Sequence, residues 1–151
     1  MKIMKRVLDE VFFIPRVNTI KIKNYGIIQD ATIKFKKGLN IITGKGGSGK
    51  TTVINFLLDK FLPVNYLAHG DSIMMQIDSI LNDKTIMIDD VLGFLNREQL
   101  NKTLIKLSNS GKQIILTLSI GGLSVVNSKI KINIIDTKDF KLRLSKKSPS
   151  S

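Results

Sequence analysis

Residues 42–52 of this chain, Ile-Thr-Gly-Lys-Gly-Gly-Ser-Gly-Lys-Thr-Thr, limit its fold more than any other stretch. They follow a short apolar run, Leu39 to Thr43, and lead into an amphipathic run that stops at Pro63. The local order is therefore buried strand, glycine loop, helix. Gly44-Lys45-Gly46-Gly47-Ser48-Gly49-Lys50-Thr51 fits the pattern Gly-x-x-x-x-Gly-Lys-Ser/Thr in full. Glycines let the backbone wrap closely round a phosphate with its N–H groups pointing inward. The positive end of the next helix adds to the attraction. Lys50 can reach the outer phosphates as a point charge. Thr51 offers a hydroxyl to Mg²⁺, which also takes phosphate oxygens and water. Gly44, Lys45, Gly46, Gly47, Ser48, Gly49, Lys50, Thr51 and Thr52 are the candidate nucleotide-binding residues.

The surrounding pattern predicts α/β architecture. Spacing over residues 3–13 predicts a helix closed by Pro15. Residues 17–25 and 31–38 alternate apolar and polar, and read as an antiparallel pair. A buried strand at 39–43, a helix at 51–62 and a second buried strand at 85–90 follow. Asp71 can cap a helix between the last two. Asn96 with Gln99 has the form of a capping box for a helix through Ser110, ended by Gly111. Residues 113–119 form another apolar strand, and a final strand pair is expected around 137–139. Such an order implies a mainly parallel sheet flanked by helices, with antiparallel strand pairs at the ends: a P-loop NTPase fold. One domain over residues 1–145 is expected, with 146–151 as a disordered tail.

The run Thr85-Ile-Met-Ile-Asp89-Asp90 supplies the other half of a nucleotide site. Four residues carry the chain through the core, and Asp89 emerges at the carboxyl end of the sheet, where ligands sit in such folds. Asp89 and Thr51 are the candidate metal partners. Asp90, which could orient or deprotonate an attacking water, is with Lys50 the candidate catalytic pair. The bland alternative is a strand that ends in a solvated acidic turn.

Composition narrows the partners. There is no cysteine and one histidine, His69, which excludes disulfides, thiol nucleophiles and multi-histidine metal centres. No apolar run approaches the ~20 residues that span a bilayer, and no signal-peptide pattern opens the chain, so a cytoplasmic protein without membrane contact is expected. The net charge is +12, with an acidic middle between two basic ends. That distribution suggests a polyanion, most simply nucleic acid. Lys21, Lys23, Lys34 and Lys36 lie on the outward face of the first strand pair, where they either track phosphates or guard an edge.

The stretch from Ile20 to Thr52 resembles the amino-terminal half of an SMC/RecF-type ATPase head, a branch of the ABC ATPases. It carries an Asn24-Tyr25 turn, then Gly38-Leu39-Asn40-Ile41-Ile42-Thr43-Gly44, then the phosphate loop. Residues 67–90 are similar to that family's signature helix and carboxylate strand, and residues 112–119 to its switch strand. The resemblance implies ATP and Mg²⁺ as cofactors, a nucleotide-dependent homodimer, action on DNA through a basic surface, and a possible partner protein. It assigns contacts across the dimer to Ala68 and Gly70; Lys45 could also act across it. Departures accompany it: Ala68 replaces a serine, Asp90 a glutamate and Leu118 a histidine. Aspartate is one methylene shorter, and ~1 Å of misplacement can cost about 10²-fold in rate. Only 33 residues separate Thr51 from Thr85, too few for a coiled-coil insertion. Slow hydrolysis is the expectation. Lys45 before Gly46-Gly47 also resembles the deviant loop of ParA/MinD-type partition ATPases, and a non-catalytic, nucleotide-gated adaptor is a third reading.

Overall fold

A computed structural model describes residues 11–61, 84–89 and 95–143. Among the described residues, eight strands form two sheets. The larger has the order β1 (Val11–Pro15), β5 (Lys84–Ile88), β6 (Gln113–Ser119), β4 (Leu39–Gly44), β7 (Asn133–Asp136), and the smaller β2 (Thr19–Tyr25), β3 (Ile28–Lys34), β8 (Lys141–Leu142). In the larger, β4 (Leu39–Gly44) is an interior strand, parallel to β6 (Gln113–Ser119) on one side and to β7 (Asn133–Asp136) on the other. β5 (Lys84–Ile88) continues the parallel run beyond β6. Every residue of β4 is buried, as expected for an apolar strand covered on both faces.

Period-two alternation divides the core. Ile41, Ile86, Ile88, Ile114, Leu116 and Leu118 pack on one face with Leu100, Leu104 and Leu107 of α2 (Arg97–Ser108). Ile42, Met87, Ile115 and Ile135 face the other side, with Val53, Ile54 and Leu57 of α1 (Lys50–Lys60). Beyond them lie Ile20, Ile22, Ile28, Ile33 and Phe140 of the smaller sheet and its margin. This sheet is the hairpin of β2 (Thr19–Tyr25) and β3 (Ile28–Lys34) with β8 (Lys141–Leu142) added. Helix α1, and with it the glycine loop, is thus fixed from two sides.

Two expectations are corrected. Residues 11–13 are not helical: they open β1 (Val11–Pro15), antiparallel to β5. Phe12 and Phe13 then reach opposite cores, and Pro15 ends an edge strand, where a missing N–H costs little. The last two strands do not pair with each other. A 3-10 turn (Thr137–Asp139) instead hands the chain from β7 in the larger sheet to β8 in the smaller. A short helix, α3 (Ile120–Ser124), follows β6. The expected helix after Asp71 lies outside the described residues.

The capping box at α2 is present. Asn96 Oδ1 accepts from Gln99 N at 2.8 Å, and Asn96 N donates to Gln99 Oε1 at 3.3 Å. Asn96→Ala is expected to cost about 1 kcal/mol and lower Tm by about 2–4 °C in a thermal melt. An unchanged Tm would show that α2 is held by its apolar stripe alone.

Candidate functional site

At the carboxyl end of β4 the chain turns through Gly44–Gly49 into α1. Gly49, the N-cap, has φ 109°, a left-handed conformation open to glycine, and offers no side-chain cap. No acidic residue lies in the first turn. The amides at this helix end therefore keep their positive potential uncompensated, which favours an anion. Beside them opens a pocket of about 540 Å³, lined by Gly46, Gly47, Gly49, Lys50, Thr51, Thr52, Ile27, Thr117 and Ser119. Its size suits a small-molecule ligand.

Lys50 Nζ donates to the carbonyls of Gly44 at 2.7 Å and Lys45 at 2.9 Å, which holds the ammonium against the loop. Ser48 closes the loop from within, its Oγ donating to Lys45 O at 2.5 Å and its N–H to the same oxygen at 3.2 Å. Thr137, from the turn after β7, donates to Ser48 Oγ at 2.7 Å. A Cβ at Gly44 would overlap the Thr137 hydroxyl, so this glycine is required by close approach. Lys45 is exposed on the shoulder of the loop, and Gly44, Lys45 and Ser48 do not line the pocket wall.

Asp89 is buried at 8% exposure, just past the end of β5. Thr51 Oγ1 lies 3.4 Å from its Oδ1, and Thr117 Oγ1 donates to the same oxygen at 2.8 Å. β6 lies between β5 and β4, so Thr117 bridges the gap between the carboxylate and the loop. Sequence reading missed Thr117 and Ser119. The signal was a pair of hydroxyls two residues apart at the end of the strand, after the apolar run Ile114 to Leu116. Leu118, the switch position by resemblance, is buried in the α2-side core, so the pocket side of β6 carries hydroxyls alone. Ser119 Oγ is engaged by Gly122 N at 3.0 Å.

The hairpin reaches the same pocket. Asn24 (φ 51°) and Gly26 (φ 57°) shape its turn, and a Cβ at Gly26 would crowd the Thr52 methyl group at 2.9 Å. Tyr25 packs edge-on against Phe56 at 5.3 Å and donates its hydroxyl to the Asp59 carboxylate. That bond, then desolvation and the negative charge, raise the phenol above its ordinary pKa of 10.0. A raised folded-state pKa stabilises below the unfolded value and fades above it, so this tie loosens only in strong alkali.

Among the described residues no three His, Cys, Asp or Glu side chains converge on one point. A hydroxyl and a carboxylate remain, a hard-oxygen pair suited to Mg²⁺, which completes its shell with phosphate and water rather than a protein cage. Asp90, Ala68, His69 and Gly70 lie outside the described residues. Among the described residues no helix is long and apolar enough to cross a membrane.

An AAA domain family model matches residues 19–59, from β2 through nearly all of α1. DNA repair protein RecN of Aquifex aeolicus is 25% identical over 123 residues, covering 82% of this chain and 22% of its own length. RecN of Bacillus subtilis is 42% identical over 36 residues, 24% of this chain and 6% of that protein. DNA replication and repair protein RecF of Acetivibrio thermocellus is 34% identical over 89 residues, 51% of this chain and 24% of that protein. The chain therefore spans less than a quarter of the length of these relatives.

Proposed function

We propose that this chain, an SMC/RecF-type ABC ATPase head, binds ATP with Mg²⁺ as one domain over residues 1–145 and closes on nucleotide as a dimer that acts on DNA. The observation that carries the reading is the uncapped, acid-free amino end of α1 beside Lys50, with Asp89 poised at Thr51. Gly44 to Thr52 cradle the phosphates. Lys50 exchanges its two carbonyl partners for phosphate oxygens, whose negative charge binds an ammonium more strongly. Thr51 and Asp89 hold the metal, which when bound neutralises charge on the outer phosphates. Thr51 and Thr117 fix the carboxylate before any ligand arrives, so little reorganisation opposes binding.

Hydrolysis is slow in this reading, with Asp90 as the base, and Lys45, Ala68 and Gly70 contact the partner's nucleotide. The relatives' names as DNA repair proteins and the basic charge of the chain support DNA as the substrate of closure. Calorimetric titration with ATP and Mg²⁺, followed by sizing with and without nucleotide, tests this. Absence of heat at millimolar ATP would remove the proposal, and binding without a change in size would remove its dimer. Single-turnover phosphate release by wild type and Asp90→Asn separates a slow ATPase from a gated adaptor: equal, negligible rates favour the adaptor.

Thr117 gives a sharper test of the metal half. Thr117→Val keeps the shape and removes the hydroxyl. The Mg²⁺ concentration that half-saturates the nucleotide complex is expected to rise about tenfold, as when the partner behind a metal ligand is lost. Affinity for nucleotide without Mg²⁺ stays level, and Thr117→Ser restores the metal response. Equal losses with and without Mg²⁺ would mean that the valine merely disturbs the pocket.

A further inference from the structure

The opposite end of β4 holds a second pocket, of about 210 Å³, lined by Lys36, Lys37, Lys131, Ser108 and Asn133 among others. Lys36, Lys37 and Lys131 are exposed, and none has an ion-pair partner among the described residues. Lys34, also exposed, ends β3 just before them. Three ammonium groups around one concavity repel each other, an arrangement stabilised by an anion between them.

The backbone that displays them is held unusually firmly for a surface turn. Asn40, wholly buried, accepts from Lys36 N at 2.8 Å and donates to Lys36 O at 2.8 Å, to Gly38 O at 3.2 Å and to Ile114 O at 3.0 Å. Gln113 Nε2 adds a bond to Lys36 O at 3.1 Å. Asn133 ties the Lys131 side in, donating to Asn40 Oδ1 at 2.8 Å and to Lys34 O at 3.0 Å. A buried amide network thus presets the spacing of both basic arms, and binding does not have to order the turn.

We infer that Lys36, Lys37 and Lys131 form a docking seat for the phosphate backbone of a nucleic acid, separate from the nucleotide pocket. About 17 Å of strand, five steps of β4, lies between the two. Lysines on flexible stems around an open concavity suit a repeating phosphate chain read without base specificity. The choice of a polymer rests on the DNA-acting part of the proposed function; the anion chemistry does not.

The test compares Lys36→Gln/Lys37→Gln/Lys131→Gln with Lys60→Gln/Arg97→Gln/Lys102→Gln, which removes equal charge from exposed residues elsewhere. Binding of a short random-sequence duplex is measured over a range of salt. The first variant is expected to lose roughly tenfold or more in affinity near physiological salt and to lower the salt slope by about 2–3, one phosphate contact per lysine. The second keeps most of both, and ATP affinity is unchanged in each. An unchanged slope, or equal losses in the two variants, overturns the seat. Saturable binding of inorganic phosphate, lost in the first variant while wild type ignores the duplex, assigns the pocket to a free anion and also overturns it. ATP affinity reports the nucleotide reading independently: its absence from wild type refutes that reading and leaves the duplex result to stand or fall alone.

Discussion

Lys50→Ala is expected to weaken ATP binding about a hundredfold or more, since two charge-assisted hydrogen bonds of about 1.5 kcal/mol each are lost. The side chain spans the loop from the start of α1 to the carbonyls of Gly44 and Lys45. The Lys45 carbonyl keeps both Ser48 donors, so deleting the ammonium leaves only the part-buried Gly44 carbonyl short of a partner, and stability should change by about 1 kcal/mol at most. The prediction is therefore a clean separation: affinity falls and the melting curve holds. Calorimetry with ATP and Mg²⁺, beside a thermal scan of the unliganded protein, reads both. An affinity within about threefold of wild type would show that the loop amides alone hold the phosphates and that Lys50 has another task.

Asn40→Leu is expected to be the most damaging change to the fold, costing about 3 kcal/mol or more, because Lys36 N, Ile114 O and the Asn133 side-chain amide each lose a bond at once. Leucine matches asparagine in length, so the loss is polar rather than steric. Lys36 N, Ile114 O and the amide of Asn133 all face the space where the carboxamide stood. Lys36 O keeps Gln113, and Gly38 O keeps Ile114 N at 2.8 Å, so the damage is partial rather than total. In a chain of this size the loss corresponds to a fall in Tm of about 6–12 °C. A fall below about 2 °C would mean that water replaces the amide, and would weaken the case for a preset basic turn. Asn40→Asp is a useful companion: it keeps the acceptor, loses the donor and buries a charge, and should be at least as costly.

The two results bear on opposite ends of one strand. β4 begins at the amide network and ends at the phosphate loop. β7 runs alongside it from Asn133 to the turn that carries Thr137 onto Ser48. The same two strands therefore frame both basic pockets.

Much of this was legible in the residues themselves. The glycine loop, the alternation at Ile20, Ile22, Ala31 and Ile33, the all-apolar strand at Leu39 and the box at Asn96 each describe a conformation set within a few residues. Asp89 at the end of its strand was readable for the same reason. Other features were hidden because they depend on which strand lies beside which. Phe12 and Phe13 look helical until β5 offers them an edge. The stretches at Asn133 and Lys141 look like a hairpin until two sheets claim them separately. Thr117 means nothing until β6 falls between Asp89 and the loop, and Lys131 gains its partners only when β7 settles against β4. Backbone preference and capping act over one turn or one strand, so residue order alone decided them. Register and strand neighbours come from burial summed over the whole chain, so only the assembled fold decided which hydroxyls met the carboxylate and which lysines met each other.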